Sequence, residues 1–404
     1  MERLLRLAKK FIPKPVFNFF QPMYHWMLAY AAAVFYGLPS RKLKIIGITG
    51  TNGKSTVVAM LSAILEETGE SVASLSSLRF RIKNKEWKNT IKMTMPGRFR
   101  LQKFLRDAVL AGCKYAVLEV TSEGIKQFRH KGINFFMAVL TNITPEHIES
   151  HGSFEKYREA KTKLFYGSKI HILNKDDANL EYFQKIPAQK KVLYSKNDLP
   201  KGLNLKLIGE FNKENAASAW VSAKELGVSE EIIKSALEKI ENVPGRLGYI
   251  QKEPFAVVVD YAHTPDALRK VYETLRRAQG KTQTSKLVCV LGAAGGGRDK
   301  WKRPEMGRIA AEHCNKIILT NEDPYDENPN QILLEIESGI SNFQFPIFKI
   351  LDRREAIREA LKSASAGDTV IITGKGAEPW IMGPNGSKMP WDDREVAKEE
   401  LKKL

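Results

Sequence analysis

The amino-acid sequence predicts an α/β protein with two sheet-containing domains. After residue 40, short β-branched runs alternate with helical stretches, which is the pattern of a parallel sheet covered by helices. A Pro- and Gly-bearing stretch, KIENVPGR at 239–246, separates two such sets. We therefore predict a central domain with a mostly parallel sheet over residues 41–242 and a Rossmann-like C-terminal domain over residues 243–404.

Residues 1–40 are predicted to form a short hydrophobic and basic helical segment. Residues 16–38 contain no Lys, Arg, Asp or Glu, and Pro22 is expected to break them into two pieces. The remaining apolar run has 16 residues, fewer than the roughly 20 that a spanning helix needs. No small-residue cleavage site follows, so a signal peptide is not predicted. A helix covering the next domain, a monotopic anchor carrying Trp26, and a true span all stay open.

The strands of both domains are predicted from buried apolar runs. In the central domain, LKIIGIT reads as a strand, STVVAMLSAILEETG as the helix that follows it, and YAVLEV, FMAVLTN and KIHILN as further strands. In the C-terminal domain the strands are FAVVVDYA, KLVCVLGAAG, KIILTNE and DTVIITGKG.

The formal net charge is +18, and it is concentrated in two places. Residues 1–44 carry eight Lys/Arg against Glu2, and residues 79–106 carry ten against Glu86. Such patches suit nucleic acid, an anionic membrane or a phosphate-rich substrate. No aromatic-interleaved or helix-turn-helix pattern accompanies them, so we predict no nucleic-acid partner.

The three cysteines, Cys113, Cys289 and Cys314, lie far apart and have no C-x-x-C spacing. The sequence therefore predicts neither a disulfide framework nor a zinc site, and a reducing cytoplasm fits this best.

A phosphate-binding loop is predicted in GITGTNGKST at 47–56, although Ile48 stands where the ordinary P-loop pattern has glycine. Strand, turn, Lys-Ser and helix occur in the required order, which makes residues 41–242 a P-loop domain. Lys54 would reach the outer phosphates, and the Ser55 hydroxyl is placed for Mg²⁺.

Polar residues follow the next strands at the edge where carboxyl ends converge on a ligand crevice. They are Glu119, Thr141, Asn142, His147 and Lys161. A carboxylate and a neutral imidazole near a triphosphate would be reasonable ligands for a second metal ion.

Taken together, these motifs resemble the Mur ligases. The chain carries in order TGTNGKST, EVTSEGIKQFR, TNITPEHIESHGSFEKYREAKTKLF, ILNKDD, GEFNKENAASA, VPGR, DYAHTPDAL, GRDKWKRPEMG and TGKGAEPW. The resemblance runs from about residue 41 to residue 397 and is strongest to the MurE-type branch, which adds the third amino acid to the precursor UDP-N-acetylmuramoyl-dipeptide.

This resemblance implies an ATP-dependent amide ligase of peptidoglycan precursor synthesis. ATP would convert a muramoyl-peptide carboxylate into an acyl phosphate, and the amine of an amino acid would capture it. The implied cofactors are ATP and Mg²⁺, which with lysine would offset the crowded negative charge. The implied partners are the muramoyl-peptide acceptor and the amino-acid donor, and the implied form is a cytoplasmic monomer.

The resemblance also assigns roles to individual residues. The catalytic set is Lys54, Glu119, His147, Lys161 and Arg246, with Lys161 matching a lysine that the family carries as a carbamate. The nucleotide set adds Gly50, Thr51, Asn52, Gly53, Ser55, Thr56, Asn212, Asn215, Asp260, Tyr261 and His263. Metal would be held by Ser55, Glu119, His147 and Lys161. Acceptor contacts match Thr94, Thr121, Gln127 and Arg129, and donor contacts match Arg298, Asp323, Tyr325, Gly374 and Glu378.

The chain departs from the family pattern at four places. EDPY at 322–325 replaces the D-N-P-R of diaminopimelate-adding enzymes, which leaves the donor open. Ala377 replaces the histidine of G-K-G-H-E, and Glu123 replaces the histidine of S-S-H-G. The family's first domain, which grips uridine diphosphate, has no room before the loop. We therefore hypothesise that residues 1–38 contact an anionic membrane, where a lipid-linked acceptor could be held.

Three alternative functions stay open. One is another Mur-like ligase of the folylpolyglutamate or cyanophycin type, although TNITPEHIESHG, DYAHTPD and GKGAE fit the tripeptide branch better. A second is the Mur-like subunit of an amidotransferase acting on lipid-linked precursors, which would be expected to carry a cysteine-rich zinc insertion. A third is an inactive scaffold, which the complete catalytic set disfavours.

Overall fold

The computed structural model describes residues 14–91, 93–279, 285–340 and 347–404. Within them the chain forms a helical N-terminal segment, an eight-stranded sheet and a six-stranded sheet. Each large sheet has a hydrophobic core on both of its faces, where helices cover it. The predicted α/β class is confirmed.

The first half of the chain builds the N-terminal helix and the larger sheet. Its elements are α1 (Lys14–Phe35), β1 (Lys44–Thr49), α2 (Lys54–Glu67), β2 (Val72–Leu75), β3 (Arg79–Ile82), β4 (Lys85–Lys88), α3 (Arg98–Leu110), β5 (Tyr115–Glu119), α4 (Ser122–Lys126), β6 (Phe135–Leu140), α5 (Ile148–His151), α6 (Phe154–Thr162), β7 (Ile170–Asn174), α7 (Leu180–Gln184), β8 (Lys190–Tyr194), α8 (Glu210–Glu225) and α9 (Glu230–Lys239). The strand order is β4-β3-β2-β5-β1-β6-β7-β8, and only β3 and β4 run antiparallel to their neighbours.

The register of the central strands brings the predicted site residues to one edge. In this sheet β1 lies between β5 and β6, with Ile48 opposite Glu119 and Thr49 opposite Leu140. The phosphate loop after β1 therefore starts beside Glu119 and beside Thr141, which follows β6.

The second half of the chain builds the smaller sheet and a short hairpin. Its elements are β9 (Gly248–Gln251), β10 (Ala256–Val259), α10 (Pro265–Ala278), β11 (Leu287–Leu291), α11 (Lys302–His313), β12 (Lys316–Leu319), α12 (Pro329–Glu337), β13 (Ile347–Lys349), α13 (Arg353–Lys362), β14 (Thr369–Ile372), β15 (Trp380–Met382), β16 (Lys388–Pro390) and α14 (Asp393–Leu401). The order is β13-β12-β11-β14-β10-β9, parallel except for β9. All four strands predicted for this domain are present.

The prediction that Pro22 breaks the N-terminal segment is wrong, because α1 continues through it. Proline removes a single backbone donor, and the residues on either side keep helical geometry. The helix buries Ala29, Ala32 and Ala33, and it packs against α3. Among the described residues, no helix combines the length and the apolar character needed to cross a bilayer.

The expectation that the cysteines form no disulfide is also wrong. Cys289 in β11 and Cys314 at the end of α11 are bonded to each other, with their Cα atoms 6.1 Å apart. A parallel strand–helix–strand unit returns the chain to the neighbouring strand, so cysteines 25 positions apart in sequence become adjacent. Cys113 is buried and has a free thiol.

Candidate active site

The phosphate loop keeps two glycines whose conformations a side chain would oppose. Gly50 and Gly53 have φ of 148° and 84°. A Cβ at Gly50 would lie 1.9 Å from the Thr141 hydroxyl, and one at Gly53 would lie 2.2 Å from Asn215 Oδ1. Ile48, which replaces the glycine of the ordinary pattern, is fully buried within β1, so this position contributes to strand packing and not to the turn.

Polar side chains after β6 hold this loop in place. The Thr141 hydroxyl donates to the Asn52 carbonyl at 2.7 Å, and the Asn52 amide donates to Asn142 Oδ1 at 2.9 Å. Thr51 Oγ1 lies 2.9 Å from the Tyr157 hydroxyl. The loop is therefore fixed before any ligand arrives. The Thr51 and Asn52 N–H groups both donate to Asn142, which leaves the helix end after the loop to bind anions.

Ser55 and Glu119 form the polar floor of the site. Ser55 Oγ donates to Glu119 Oε2 at 2.7 Å, and the backbone N–H of Ser77 donates to the same oxygen at 2.9 Å. Both side chains are buried. Ser77 was not predicted, because nothing in the sequence marks a serine of a bend as part of a site.

Two lysines donate to backbone carbonyls of the loop: Lys54, which is half-buried, and Lys161, which is buried. Lys54 Nζ donates to the Thr51 carbonyl at 2.8 Å, and Lys161 Nζ donates to the Gly50 carbonyl at 2.7 Å. Burial lowers the pKa of Lys161 well below its ordinary value, and the charge of Lys54 lowers that pKa further. Burial also lowers the pKa of Lys54, against the opposing effect of Glu119. Both effects shift the Lys161 amine towards its neutral, nucleophilic form.

His147 lies at the rim of the same site with a left-handed backbone, φ 57°. Burial, with Arg298 and Lys161 nearby, lowers the pKa of His147 to about 2. The imidazole is therefore neutral over the physiological range, which is the form that ligates metal.

The C-terminal domain adds its residues from the strand β10 and the turn before β9. Arg246 lies over the Tyr261 ring at 4.4 Å, and its Nη2 approaches Ser55 Oγ to 3.4 Å. The Asp260 carboxylate fixes this turn by accepting from the amides of Leu247 and Ala262, both at 2.6 Å. His263 Nδ1 lies 2.9 Å from the Tyr261 carbonyl.

Further contacts join the two domains around the loop. Asn52 Nδ2 donates to Asp266 Oδ2 at 3.0 Å, at the start of α10. The Glu149 amide donates to Asp299 Oδ1 at 2.9 Å. Lys302 and Glu146 form an ion pair at 3.0 Å with both side chains almost fully buried. Sequence reasoning missed this pair, although both residues stand inside motifs quoted above.

Two of the residues predicted to contact the donor, Asp323 and Glu378, bind the buried side chain of Lys375. Lys375 Nζ donates to both carboxylate oxygens of Asp323, at 2.9 and 3.0 Å, and to Glu378. Glu322 adds a third carboxylate, whose buried Oε2 has no hydrogen-bond partner among the described residues. Burial raises the pKa of Glu322 to about 7. Gly374, with φ 104°, leaves room for that carboxylate, since a Cβ there would lie 2.3 Å from Oε2.

Arg298 and Tyr325 form the other wall of the donor side. Their side chains hydrogen-bond to each other, and Tyr325 has a left-handed backbone with φ 52°. Both side chains line the cavity, as do Asp323, Glu322 and Glu378.

The residues predicted to contact the acceptor lie at the end of the cavity formed by the central domain. Thr94 and Thr121 line it, and Thr121 also caps α4 by accepting from the Gly124 amide. Arg129 lines it as well, with Nη1 donating to the Met95 carbonyl and Nη2 donating to Gln127 Oε1 at 2.7 Å. Gln127, which does not line the cavity, thus helps to orient the Arg129 guanidinium.

One cavity of about 650 Å³ between the domains gathers most of the predicted residues. Asn212, Gln127 and Gly374 do not line it. Asn212 instead accepts from Asn215 Nδ2 at 3.2 Å, so it positions a residue that does face the cavity.

Comparisons with known proteins agree with this geometry. The Mur ligase middle domain matches residues 48–202, and the Mur ligase C-terminal, glutamate ligase domain matches residues 245–376. A protein of Syntrophomonas wolfei named UDP-N-acetylmuramoyl-L-alanyl-D-glutamate–2,6-diaminopimelate ligase is 36% identical over 93% of this chain and 81% of its own length. The enzyme of the same name from Aquifex aeolicus is also 36% identical, over 93% and 80%.

The chain belongs to the Mur ligase family. The predicted MurE-type resemblance and the predicted class of ATP-dependent ligase are confirmed. A solved diaminopimelate ligase structure shares this fold with a TM-score of 0.58 at 32% identity, covering 89% of this chain and 78% of the other.

More distant Mur ligase-like structures share the fold alone. Folylpolyglutamate synthase from Mycobacterium tuberculosis, complexed with ADP, has a TM-score of 0.69 at 17% identity, covering 86% of this chain and 91% of the other. A pseudomurein peptide ligase from Methanothermus fervidus has a TM-score of 0.63 at 19% identity, covering 90% and 79%. The folylpolyglutamate alternative is therefore less well supported than the main prediction.

The oxygen donors at the phosphate loop of this Mur ligase fit a magnesium ion. Within the described residues, no group of three or more His, Cys, Asp or Glu is arranged to hold a metal ion. The Ser55 hydroxyl and the Glu119 carboxylate nevertheless meet at 2.7 Å beside the phosphate loop. Mg²⁺ takes few protein oxygens and completes its shell with water and phosphate. The Ser55 hydroxyl and the Glu119 carboxylate match this ligand preference.

Proposed function

We propose that this chain uses ATP and Mg²⁺ to join the carboxylate of a muramoyl peptide to the amino group of an amino acid. One observation carries the proposal: Lys54, Ser55, Glu119, Lys161 and Arg246, drawn from both domains, line a single cavity. Groups that hold a triphosphate and groups that hold two organic substrates are thereby brought within reach of one another.

The reaction would proceed in two displacements. An oxygen of the acceptor carboxylate attacks the γ-phosphorus of ATP, the bond from that phosphorus to the β–γ bridging oxygen breaks, and ADP leaves. The neutral amine of the donor then attacks the acyl carbon. The carbon–oxygen bond to phosphate breaks, inorganic phosphate leaves, and the amine loses a proton.

In the first displacement the residues of the phosphate loop would stabilise the negative charge of the ATP phosphates. The amides of Gly50, Gly53 and Lys54 and the Lys54 ammonium would bind the β- and γ-phosphates, with Thr56 and Asn215 beside them. The Thr51 and Asn52 amides instead hold the loop to Asn142. Arg246 brings a positive charge from the second domain, as a finger-like arginine does. Asp260, Tyr261 and His263 keep the surrounding turn in place, with Asn212 supporting Asn215.

Mg²⁺ would neutralise part of the charge that develops on the transferring phosphoryl group. Ser55 and Glu119 would hold the first ion, and His147, Glu119 and Lys161 would serve a second. We propose that Lys161 does so as a carbamate, in which its nitrogen is bonded to the carbon of CO₂ and a proton is released. The lowered pKa of Lys161 supports this, because only the neutral amine reacts with CO₂.

Arg298 would clamp the α-carboxylate of the donor, with Tyr325 fixing the guanidinium. Beyond it lie the acidic side chains of Glu322, Asp323 and Glu378, with Lys375 bound to the last two. Arg353 and Lys302 also act on Glu322, but each is paired with another carboxylate, Asp393 and Glu146. We propose that the far end of the donor carries an ammonium group without a second carboxylate, since another anion there would be repelled.

Thr94, Thr121, Gln127 and Arg129 would bind or support the acceptor peptide. We propose a monomer that acts in the cytoplasm and contacts an anionic membrane through residues 1–38.

The proposed function is tested by a phosphate-release assay with ATP, Mg²⁺, UDP-muramoyl-dipeptide and a panel of amino acids. Release that needs both the acceptor and one amino acid supports the proposal, and release that needs neither contradicts it.

A further inference from the structure

The helix α1 exposes a large apolar stripe to solvent. Its outward residues recur at the spacing of one helical face: Phe20, Met23, Tyr24, Met27, Tyr30 and Val34. Val34 and Phe35 are 66% and 72% exposed, far more than an aliphatic or aromatic side chain of a stable monomer usually is. The opposite side of α1, with Ala29, Ala32 and Ala33, is buried on the protein.

The stripe continues onto α3. The Phe99 ring lies 6.1 Å from that of Phe35 and is 42% exposed, and Leu110 is 70% exposed. Between them on the same face of α3 lie Lys103 and Arg106, both exposed, and Lys103 also pairs with Asp107 at 2.8 Å. Arg106 Nη1 donates to the Tyr36 carbonyl at 3.2 Å, which ties the two helices together. We call these exposed residues of α1 and α3 the apolar–basic face.

We propose that the apolar–basic face docks on an anionic lipid bilayer and lies in its interface, with α1 parallel to the membrane. Aromatic and methionine side chains would enter the boundary between headgroups and acyl chains, and the basic residues would contact the phosphates. A second copy of this chain is disfavoured as the occupant, because it would bring the same cationic residues together.

The face also lies next to the acceptor end of the cavity. Arg98 precedes Phe99 of this face in α3, and Arg98 Nη2 donates to the Gln127 carbonyl. Gln127 in turn orients Arg129, which lines the cavity. If the proposed function holds, docking would bring the acceptor subsite close to the lipid surface, so a muramoyl peptide linked to a membrane lipid would be the favoured acceptor.

The test is flotation of the full chain with vesicles of phosphatidylglycerol and phosphatidylcholine, compared with phosphatidylcholine alone. Binding to the anionic vesicles that weakens with added salt is expected. Met23→Glu combined with Met27→Glu should reduce partitioning at least tenfold. Leu334→Glu, which changes a 49% exposed leucine on α12, should leave it unchanged.

The charge contribution is tested separately. Lys103→Glu should lower partitioning by about fivefold or more, given the usual effect of one basic residue at an anionic surface. Lys362→Glu, on the exposed side of the C-terminal domain, is its control and should have no effect.

Two results would overturn the inference. One is a folded protein that ignores anionic vesicles at low salt. The other is a dimer in light scattering that Met23→Glu with Met27→Glu dissociates, without vesicle binding by either form. Phosphate release with a water-soluble acceptor, measured on the same variants, separates these outcomes from failure of the ligase function itself, since neither methionine lines the cavity.

Discussion

Arg246 Nη2 lies 3.4 Å from Ser55 Oγ, so an arginine of the C-terminal domain reaches the first turn of the phosphate-loop helix. The same guanidinium rests on the Tyr261 ring at 4.4 Å, which limits its freedom. The two domains therefore meet at the position where the proposed reaction transfers a phosphoryl group.

Arg246→Ala is expected to lower kcat by roughly 10³-fold, the effect of removing an arginine that acts on a transferring phosphoryl group. Steady-state ADP release measures it. Arg277→Ala, at a site 71% exposed on α10, is the control and should match the wild type. An Arg246→Ala enzyme with full kcat would remove the arginine from the mechanism.

Lys161→Ala is expected to be inactive and to regain part of its activity with acetate or formate, which would stand in for the carbamate. The exposed neighbour Lys163→Ala should remain active. A ¹³C carbamate signal from wild-type protein in labelled bicarbonate, absent from Lys161→Ala, is the direct measurement. Unchanged turnover of Lys161→Ala would contradict the assignment.

Glu119→Ala is expected to abolish ADP release and to weaken Mg²⁺ activation in a metal titration. It should also reduce the free energy of unfolding by about 1–3 kcal/mol, because the partly buried Ser77 amide loses its acceptor. Denaturant titration checks the second effect. An active and equally stable variant would show that this carboxylate neither holds metal nor supports the loop.

Arg298→Ala is expected to raise the KM for the amino acid by about 10–100-fold, the range for loss of a charge-assisted hydrogen bond. ATP affinity should change little, because the nucleotide is held at the phosphate loop.

Lysine should be a better donor than diaminopimelate, because the acidic side chains near Lys375 would repel the second carboxylate of diaminopimelate. A strong preference for diaminopimelate would refute the proposed ammonium-bearing far end.

Glu322 is expected to make stability pH-dependent. Its pKa is raised from 4.5 to about 7 by burial. A carboxyl with a raised folded pKa contributes stability that is fully present below its unfolded pKa and is lost as pH rises through the folded pKa. Glu322→Gln should therefore gain roughly 3 kcal/mol over the wild type between pH 4 and pH 8, since one pKa unit is worth about 1.4 kcal/mol. Parallel denaturant titrations at the two pH values that show no difference would contradict this.

The sequence predicts the main strands because each is an apolar run ended by a polar or glycine residue. It does not predict β4, KEWK, whose four residues are all exposed and which exists only by pairing with β3. The bond between Cys289 and Cys314 was missed for a similar reason, since adjacency across a strand–helix–strand unit is a tertiary property.

The candidate site divides in the same way. Residues inside local motifs, such as Lys54 and Glu119, could be named from the sequence. Ser77 could not, because its contribution is a backbone N–H directed by a bend. Neither could the buried pair of Lys302 and Glu146, because only the packing of the two domains brings these residues together.

The most direct test of the central claim follows an oxygen atom. A muramoyl-peptide acceptor labelled with ¹⁸O in its terminal carboxylate should be turned over with unlabelled ATP, and the released phosphate analysed by mass spectrometry. The account predicts one labelled oxygen in each phosphate, because the carboxylate oxygen becomes the bridge to phosphorus and leaves with it. Phosphate free of label, formed at the same rate as the amide product, would contradict activation through an acyl phosphate.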